Sequence, residues 1–104
     1  MLVPSVPGPA SAQVATQFRV AVLVLSWNAR DDVLACLSSL AGELTAADRL
    51  YLVDNASHDD TVRAVKERHR AAQVISNREN LGFAGGMNVG LRAALGLSFE
   101  FVFI

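Results

Sequence analysis

The feature that most constrains the fold is a short, unbroken apolar segment, Val20–Leu25. All six of its residues are apolar, and valine occupies every second position. A segment of this kind is typical of a central parallel strand that is covered on both faces. Such a strand needs helices on both sides of its sheet, so the segment predicts an α/β fold.

The rest of the chain alternates between helical and strand patterns. After the turn at 26–28, the spacing predicts a first helix that is capped by Asp31 or Asp32 and stops at Gly42. A second strand, Leu50–Val53, precedes a short helix that ends near His69. The start of this helix resembles a capping box formed by Ser57 and Asp60.

A third strand is predicted at Gln73–Ser76 and a last one at Phe99–Ile104, with a third helix between them. One face of that helix is apolar and consists of Ala84, Met87, Leu91, Ala94 and Leu95. Four strands alternating with three helices predict a mostly parallel, Rossmann-like sheet with right-handed crossovers.

Composition limits the classes of function. The chain has 104 residues, 52% of them hydrophobic and 18% charged, which suits one ordinary globular domain. Nine basic and ten acidic residues give a net charge of −1, so the strong positive field of a nucleic-acid binder is absent. No apolar run reaches the roughly 20 residues that span a bilayer.

The single cysteine, Cys36, has no second cysteine with which to form an internal disulfide, as in proteins of a reducing compartment. We therefore expect a cytoplasmic location, with peripheral attachment to the cytoplasmic membrane face as the alternative. Because leucines flank it at 34, 37 and 40, Cys36 is predicted to be a buried core residue.

The two ends of the chain have distinct patterns. Residues 1–18 contain three prolines, no basic residue and no apolar block, so they lack the parts of a secretory signal and are predicted to be a disordered leader. The folded part is expected over residues 19–104. Because the chain stops on a buried-type strand, we expect a piece truncated from a longer protein, which would associate through an uncovered Phe101 and Phe103.

Asp54 directly follows the apolar strand Leu50–Val53. In open α/β sheets, ligands bind beyond the carboxyl ends of the strands, so Asp54 is predicted to contact a ligand. An ionised carboxylate only accepts hydrogen bonds and favours a base edge with an N–H, such as N3–H of uracil or thymine. The alternative is a carboxylate that stabilises the turn.

Two further loops carry groups suited to a nucleotide. Trp27 offers a flat face for stacking on a base, or it packs against the first helix, and Asn28 can donate and accept hydrogen bonds. The segment Asn80–Asn88 contains three glycines that let backbone approach a ligand and place helix-start N–H groups near a phosphate.

Competing motifs are absent. No glycines have the spacing of a dinucleotide loop, and Gly85 and Gly90 are not followed by the Lys-Ser or Lys-Thr of a phosphate loop, which disfavours a nucleotide-dependent oxidoreductase. The acids at 54, 59 and 60 lack the other ligands of a calcium loop. Asp59 and Asp60 are therefore interpreted as helix-start charges.

Three segments together, Val24–Asn28, Val53–Thr61 and Asn80–Asn88, resemble the N-terminal half of family 2 glycosyltransferases, and most of all their rhamnosyltransferase-like branch. The resemblance covers residues 19–104. It implies a GT-A fold whose nucleotide-binding half holds a UDP- or dTDP-sugar. At 58 and 60, His58 and Asp60 replace the more usual residues of the family's Thr-Asp-Gly turn.

The resemblance also implies roles for individual residues. Trp27 matches the aromatic residue beside the base, and Asp54 matches the acid that contacts the pyrimidine. Asn80, Gly82 and Asn88 match the loop and helix that close over the nucleotide-sugar. The expected nucleotide-sugar site comprises Ser26, Trp27, Asn28, Asp54, Asn55, Asn80, Gly82 and Asn88.

The implied reaction is an inverting, metal-assisted transfer of the sugar to a hydroxyl of a glycan or lipid-linked acceptor, as in cell-wall or polysaccharide biosynthesis. The family's Mg²⁺- or Mn²⁺-binding Asp-any-Asp motif and its general base come later in such proteins, so the metal ligands are expected beyond Ile104. No residue here is assigned to catalysis, and the piece alone is expected to be inactive. The alternative is a noncatalytic nucleotide-binding or interaction module.

Overall fold

A computed structural model describes residues 2–4, 17–96 and 98–103. Within these residues, five strands and three helices alternate in the order β1 (Leu2–Pro4), β2 (Gln17–Ser26), α1 (Arg30–Ala41), β3 (Asp48–Asp54), α2 (Thr61–Arg68), β4 (Gln73–Ser76), α3 (Gly82–Leu95) and β5 (Ser98–Phe103).

The strands form one sheet in the order β1-β5-β2-β3-β4. The strands β5, β2, β3 and β4 run parallel, and β1 pairs antiparallel with β5. The predicted α/β fold with a mostly parallel sheet is confirmed. The apolar segment Val20–Leu25 lies in β2, between β5 and β3, as its pattern predicts.

Helices cover both faces of the sheet and produce two cores. On one face, α1 and α2 pack over alternate strand residues, Val22, Leu50 and Leu52 among them. On the other face, α3 packs over Ala21 and Leu23. Because successive residues of a strand point to opposite faces, β2 has to be apolar at every position to fill both cores.

The helix starts differ from the prediction. The N-cap of α1 is Ala29, so neither Asp31 nor Asp32 caps the helix, and both lie in its first turn, where the helix dipole favours acids. The predicted capping box is wrong, because the N-cap Asp60 makes no side-chain cap hydrogen bond and Ser57 bonds to Asp54 instead. The predicted stop at Gly42 is confirmed.

The buried face of α3 is partly different from the predicted one. Met87 and Ala94 are buried, but Ala84 and Leu95 are exposed. Gly90 lies against the sheet, where a Cβ atom would come within 2.9 Å of Val53 Cγ2. The helix therefore approaches β3 more closely than a side chain at position 90 would allow.

The described residues at both ends of the chain lie in strands. Disorder was predicted over residues 1–18, but Leu2–Pro4 and the first two residues of β2, Gln17 and Phe18, lie in strands. Because β1 pairs with β5, the last strand lies inside the sheet and is not its edge. The proline in β1 fits this position, since proline is tolerated on edge strands. Residues 5–16 and Ile104 lie outside the described part.

The prediction that Cys36 is buried is also wrong, because its side chain is exposed. Each helical residue is rotated by about 100° from the one before. Cys36 therefore falls on the outer face of α1, although Leu34 and Leu37 on either side are buried. In the described residues, no helix has the length and apolar character needed to cross a membrane.

Candidate functional site

Ser26 and Asp54 are the last residues of β2 and β3, and they are partners in the parallel register of these strands. Both are buried, with exposed fractions of 3% and 2%. The Ser26 hydroxyl donates a hydrogen bond of 2.7 Å to Asp54 Oδ1. The parallel pairing thus places the predicted ligand-binding acid at the carboxyl edge of the sheet, beside a hydroxyl that orients it.

The Asp54 carboxylate accepts two more hydrogen bonds, both from Ser57. The Ser57 hydroxyl donates to Oδ1 at 2.6 Å, and its backbone N–H donates to Oδ2 at 2.9 Å. Together with Ser26, these donors satisfy a buried carboxylate, which would otherwise be costly to bury. Ser57 was not predicted as a site residue, although the spacing Asp-x-x-Ser is a signal for such a local turn.

The loop after β2 is joined to the loop after β3 through Asn28. Its backbone N–H donates to the Ser57 hydroxyl oxygen at 2.9 Å, and its Oδ1 accepts from the His58 N–H at 2.6 Å. Asn28 has a φ of +48°, in the left-handed region that asparagine tolerates better than most residues. Ser57 therefore connects the acid at 54 to the loop that carries Trp27.

Trp27 lies next to Ser26 in the chain, at the same sheet edge as Asp54. It is 54% exposed, which is unusual for the largest apolar side chain of a small domain. Its indole thus has free surface on which a flat ligand can stack.

Asn55 connects the end of β3 to the start of α3. Its side chain is buried, and Nδ2 donates to the Gly82 carbonyl at 3.0 Å. Oδ1 accepts from Asn77 Nδ2 at 2.9 Å and from the Leu81 N–H at 3.4 Å. Both polar atoms of the amide thus bond to other segments of the protein.

The start of α3 holds the remaining predicted residues. Asn80 Oδ1 accepts from the Gly82 N–H at 2.8 Å, and Gly82 has a φ of +74°, which favours glycine. Asn88 is exposed further along the same helix. Of the predicted site residues, Ser26 bonds directly to Asp54, and Asn28 is joined to Asp54 through Ser57. Asn55 bonds to the loop that contains Asn80 and Gly82.

Gly86 has a different role from the one predicted for the glycines of this segment. Gly86 is buried, and a Cβ atom there would lie 2.5 Å from Leu25 Cδ1 and 2.9 Å from Asn55 Nδ2. Gly86 thus makes room for the sheet and for Asn55. Gly82 is exposed, with nothing within 4 Å of an added Cβ, and remains open to a ligand.

Charged groups near this edge are largely paired with each other. Arg30 Nε lies 2.9 Å from Asp60 Oδ1, and Arg30 Nη1 lies 2.7 Å from Asp31 Oδ1. The Thr61 hydroxyl donates to Asp59 and, against the opposing effect of burial, keeps the Asp59 pKa below its ordinary value. A cleft of about 430 Å³ here is lined by Asn28, Ala29, Arg30, Asp31, Asp32 and Asp59. Three carboxylates and one guanidinium make this cleft unsuitable for a diphosphate.

A second cleft, of about 460 Å³, lies at the opposite edge of the sheet. Its lining includes Asp48 at the start of β3 and Arg68 at the end of α2. Basic residues at a helix carboxyl end are favoured by the helix dipole, which accounts for the positive charge there. The site that the sequence predicts is at the other edge, where the strands end.

The residues described here do not fit a divalent metal. Over residues 2–4, 17–96 and 98–103, no three His, Cys, Asp or Glu side chains are grouped so that they could hold an ion. Asp54 accepts hydrogen bonds from serine donors, and Asp60 is paired with Arg30 and Arg63.

The sequence of residues 21–103 matches the profile of Glycosyl transferase family 2. The chain belongs to glycosyltransferase family 2. The match confirms the family that the three segments predict, and it spans all three strand-to-helix loops of the site. The parallel sheet alternating with helices is that of a GT-A, Rossmann-like domain. Comparisons with curated proteins and with solved structures found no match.

Proposed function

We propose that this glycosyltransferase binds a UDP- or dTDP-sugar at the carboxyl edge of β2 and β3. In this proposal the chain is the donor-binding part of an inverting, metal-assisted enzyme of the rhamnosyltransferase-like branch, with the metal ligands and the general base on residues after Ile104. The acceptor is a glycan or a lipid-linked sugar of cell-wall or polysaccharide biosynthesis, and the enzyme acts in the cytoplasm or at the cytoplasmic membrane face.

The observation that carries the proposal is the pairing of a fixed acceptor with an exposed aromatic face at one sheet edge. Asp54 is held by Ser26 and Ser57, and Trp27, one residue after Ser26, is more than half exposed. A carboxylate that accepts an N3–H and an indole that stacks on the ring together suit a pyrimidine.

Access to Asp54 requires a local adjustment, because the residue is only 2% exposed. Oδ1 already accepts two hydroxyl donors, whereas Oδ2 accepts the Ser57 N–H. A carboxylate oxygen can accept two hydrogen bonds, so Oδ2 has the capacity for an incoming N3–H. Movement of the loop at 56–58 would open the path to it.

The other predicted residues are proposed to hold the rest of the donor. Helix-start N–H groups of α3 near Gly82 are suited to an anion such as the diphosphate. Asn80 and Asn88, both exposed, are proposed to lie along the diphosphate and the sugar, and Asn28 beside the base.

Isothermal titration calorimetry of the chain with UDP, dTDP, ADP and GDP, each with Mg²⁺ or Mn²⁺, tests this proposal. We expect UDP and dTDP to bind more tightly than ADP, because adenine has no ring N–H on the edge that meets Asp54. GDP is included because guanine does carry such an N–H but is a larger base. Equal or tighter binding of the two purine nucleotides would contradict the proposal.

A noncatalytic interaction module is the second candidate. It is favoured by one observation, namely that the donors of Ser26 and Ser57 already satisfy the Asp54 carboxylate without a ligand. In that case the acid only stabilises the turn, and the same titration would show no heat of binding with any of the four nucleotides.

A further inference from the structure

Asn55 is the residue at which three segments of the chain meet. It follows Asp54 at the end of β3, and its side-chain amide contacts Asn77 after β4 and the Leu81–Gly82 backbone at the start of α3. The side chain is buried, and both of its polar atoms bond to the protein. These hydrogen bonds fix the positions of the β4 end and the α3 start relative to the end of β3.

The start of α3 depends on contacts from outside the helix. Its N-cap, Leu81, makes no side-chain cap hydrogen bond, and Gly82 is in a left-handed conformation with open space where a Cβ atom would lie. Within the loop itself, the Asn80 side chain accepts a hydrogen bond from the Gly82 N–H. Asn55 supplies the contact that ties this turn to the sheet, through the Gly82 carbonyl and the Leu81 N–H.

The fit around Asn55 is tight. A Cβ atom at position 86 would lie within 2.9 Å of Asn55 Nδ2, so glycine there leaves the space that the amide occupies. The Oδ1 atom of the same amide meets Asn77 Nδ2 at 2.9 Å. A longer side chain at position 55 has no room, and a shorter one leaves the Gly82 carbonyl without this donor.

We propose that Asn55 is a positioning residue of the nucleotide-sugar site, which sets the place of the α3 start relative to Asp54 without contacting the donor. Asp54 and Asn55 are consecutive, so the group proposed to contact the base and the group that holds the α3 start share one piece of backbone. This inference rests on the proposed function and deepens it.

The proposal predicts different effects of losing Asn55 on the two ends of the ligand, the base and the diphosphate. Loss of Asn55 leaves Ser26, Ser57 and Asp54 in place, since none of their hydrogen bonds involves the Asn55 side chain. The base should therefore still bind. The diphosphate, which is proposed to face the start of α3, should lose its preformed partner.

The test compares uridine with UDP in NMR titrations of the whole chain, a method in which weak binding is measurable. The variants are Asn55→Ala and the isosteric Asn55→Asp, which replaces the donor to Gly82 by an acceptor. We expect the ratio of UDP affinity to uridine affinity to fall about tenfold in Asn55→Ala, a factor that corresponds to the net contribution of roughly one hydrogen bond between Asn55 and the start of α3. Asn55→Asp should lower it further by charge repulsion.

A matched control separates positioning from general instability. Val65→Ala removes buried volume in the other core, under α2, and should lower the melting temperature without changing the affinity ratio. If the Asn55 variants do not fold, Asn77→Ala removes one donor to Asn55 Oδ1 and should lower the ratio by a smaller factor.

The outcomes are distinguishable. An unchanged ratio in the folded variants, or an equal fall in Val65→Ala, overturns the positioning role while the proposed function stands. Failure of the unaltered chain to bind either uridine or UDP overturns the proposed function, and the role of Asn55 falls with it.

Discussion

Ser26 and Asp54 face each other at the last register position of β2 and β3, and the hydroxyl of one donates to the carboxylate of the other at 2.7 Å. In a parallel sheet, both strand ends lie at the same edge, so this bond, together with the two from Ser57, fixes the orientation of the acid relative to the loop of Trp27. The groups that set this orientation, Ser26 and Ser57, lie at the end of β2 and in the loop after β3, which form part of the proposed site.

The first prediction concerns this acid. Asp54→Ala should abolish the acceptor for the base and lower the affinity for UDP at least tenfold. It should also destabilise the fold by about 1–3 kcal/mol, because donors on the buried Ser26 and the half-buried Ser57 lose their partner. Calorimetry with UDP and urea denaturation measure the two effects.

The matched control for Asp54 is Asp31→Ala. Asp31 is also an acid near the strand ends, but its side chain is 89% exposed and pairs with Arg30 on the surface. A surface ion pair contributes little, so both UDP affinity and stability should stay close to the original values. Full UDP affinity in a folded Asp54→Ala variant would contradict the proposed contact.

The second prediction concerns the Ser57 hydroxyl, which joins Asp54 to Asn28. Ser57→Ala should cost about 1 kcal/mol of unfolding free energy, the contribution of a typical hydrogen bond. It should also speed hydrogen exchange of the Asn28 amide, which loses its acceptor. Ser57→Thr keeps a hydroxyl and serves as the control, and identical Asn28 exchange in both variants would exclude the connection.

The third prediction concerns Trp27. Because its side chain is 54% exposed, Trp27→Ala should change the free energy of unfolding by less than about 0.5 kcal/mol. Loss of stacking on the base should weaken UDP binding by about 1–3 kcal/mol. Trp27→Phe retains an aromatic face and should recover most of the affinity. If both variants bind UDP as the original does, the indole has no part in the site.

The fourth prediction concerns the close approach of α3 to the sheet. Gly90→Ala places a methyl group 2.9 Å from Val53 Cγ2. The steric overlap should cost about 1–3 kcal/mol of unfolding free energy. This cost should exceed the roughly 1 kcal/mol by which alanine favours a helix over glycine, so the variant should unfold at a lower urea concentration.

Gly42→Ala is the control for Gly90→Ala. Gly42 has a φ of −72°, which alanine adopts without strain, and an added Cβ would be 3.8 Å from the nearest atom, the Ser39 carbonyl oxygen. This variant should be neutral or slightly more stable. A stable Gly90→Ala variant would show that α3 can shift away from β3 without cost.

The sequence predicts those features that depend on local pattern. The strand Gln73–Ser76 has the predicted bounds. Asp54 lies at the end of a strand, as the apolar run before it predicts. The partners of Asp54 were harder to foresee. Ser26 comes from a different strand, and its role depends on a register that no local pattern contains.

The errors have a similar physical origin. Ser57 has the spacing of a capping residue, but its hydroxyl donates to the buried Asp54 carboxylate three residues earlier instead of capping the helix. Cys36 has leucine neighbours in sequence, but the helix turns it outward. The strand β1 pairs with β5 from the far end of the chain, and no signal within residues 1–18 indicates that partner.

The last prediction concerns acid stability and Asp48, which begins β3. Its carboxylate is buried, and burial alone would raise its pKa. The Thr45 N–H and the Arg19 guanidinium, at 2.9 and 3.1 Å from Oδ2, outweigh that effect and hold the Asp48 pKa below its ordinary value. The folded state therefore favours the charged form. The stabilisation should be complete above the unfolded pKa of about 3.9 and lost as the pH falls through the lower folded value.

Asp48→Asn removes this dependence, because the amide does not titrate. Urea denaturation between pH 7 and pH 2 should show the original chain to be the more stable form above about pH 5, with the difference shrinking as the pH falls below 3.9. Arg19→Gln removes one of the groups that lower the folded pKa, so the acid-induced loss should be smaller than in the original chain and should be complete at a higher pH. A stability difference between Asp48→Asn and the original that stays constant down to pH 2 would mean that Asp48 has the same pKa in the folded and unfolded states.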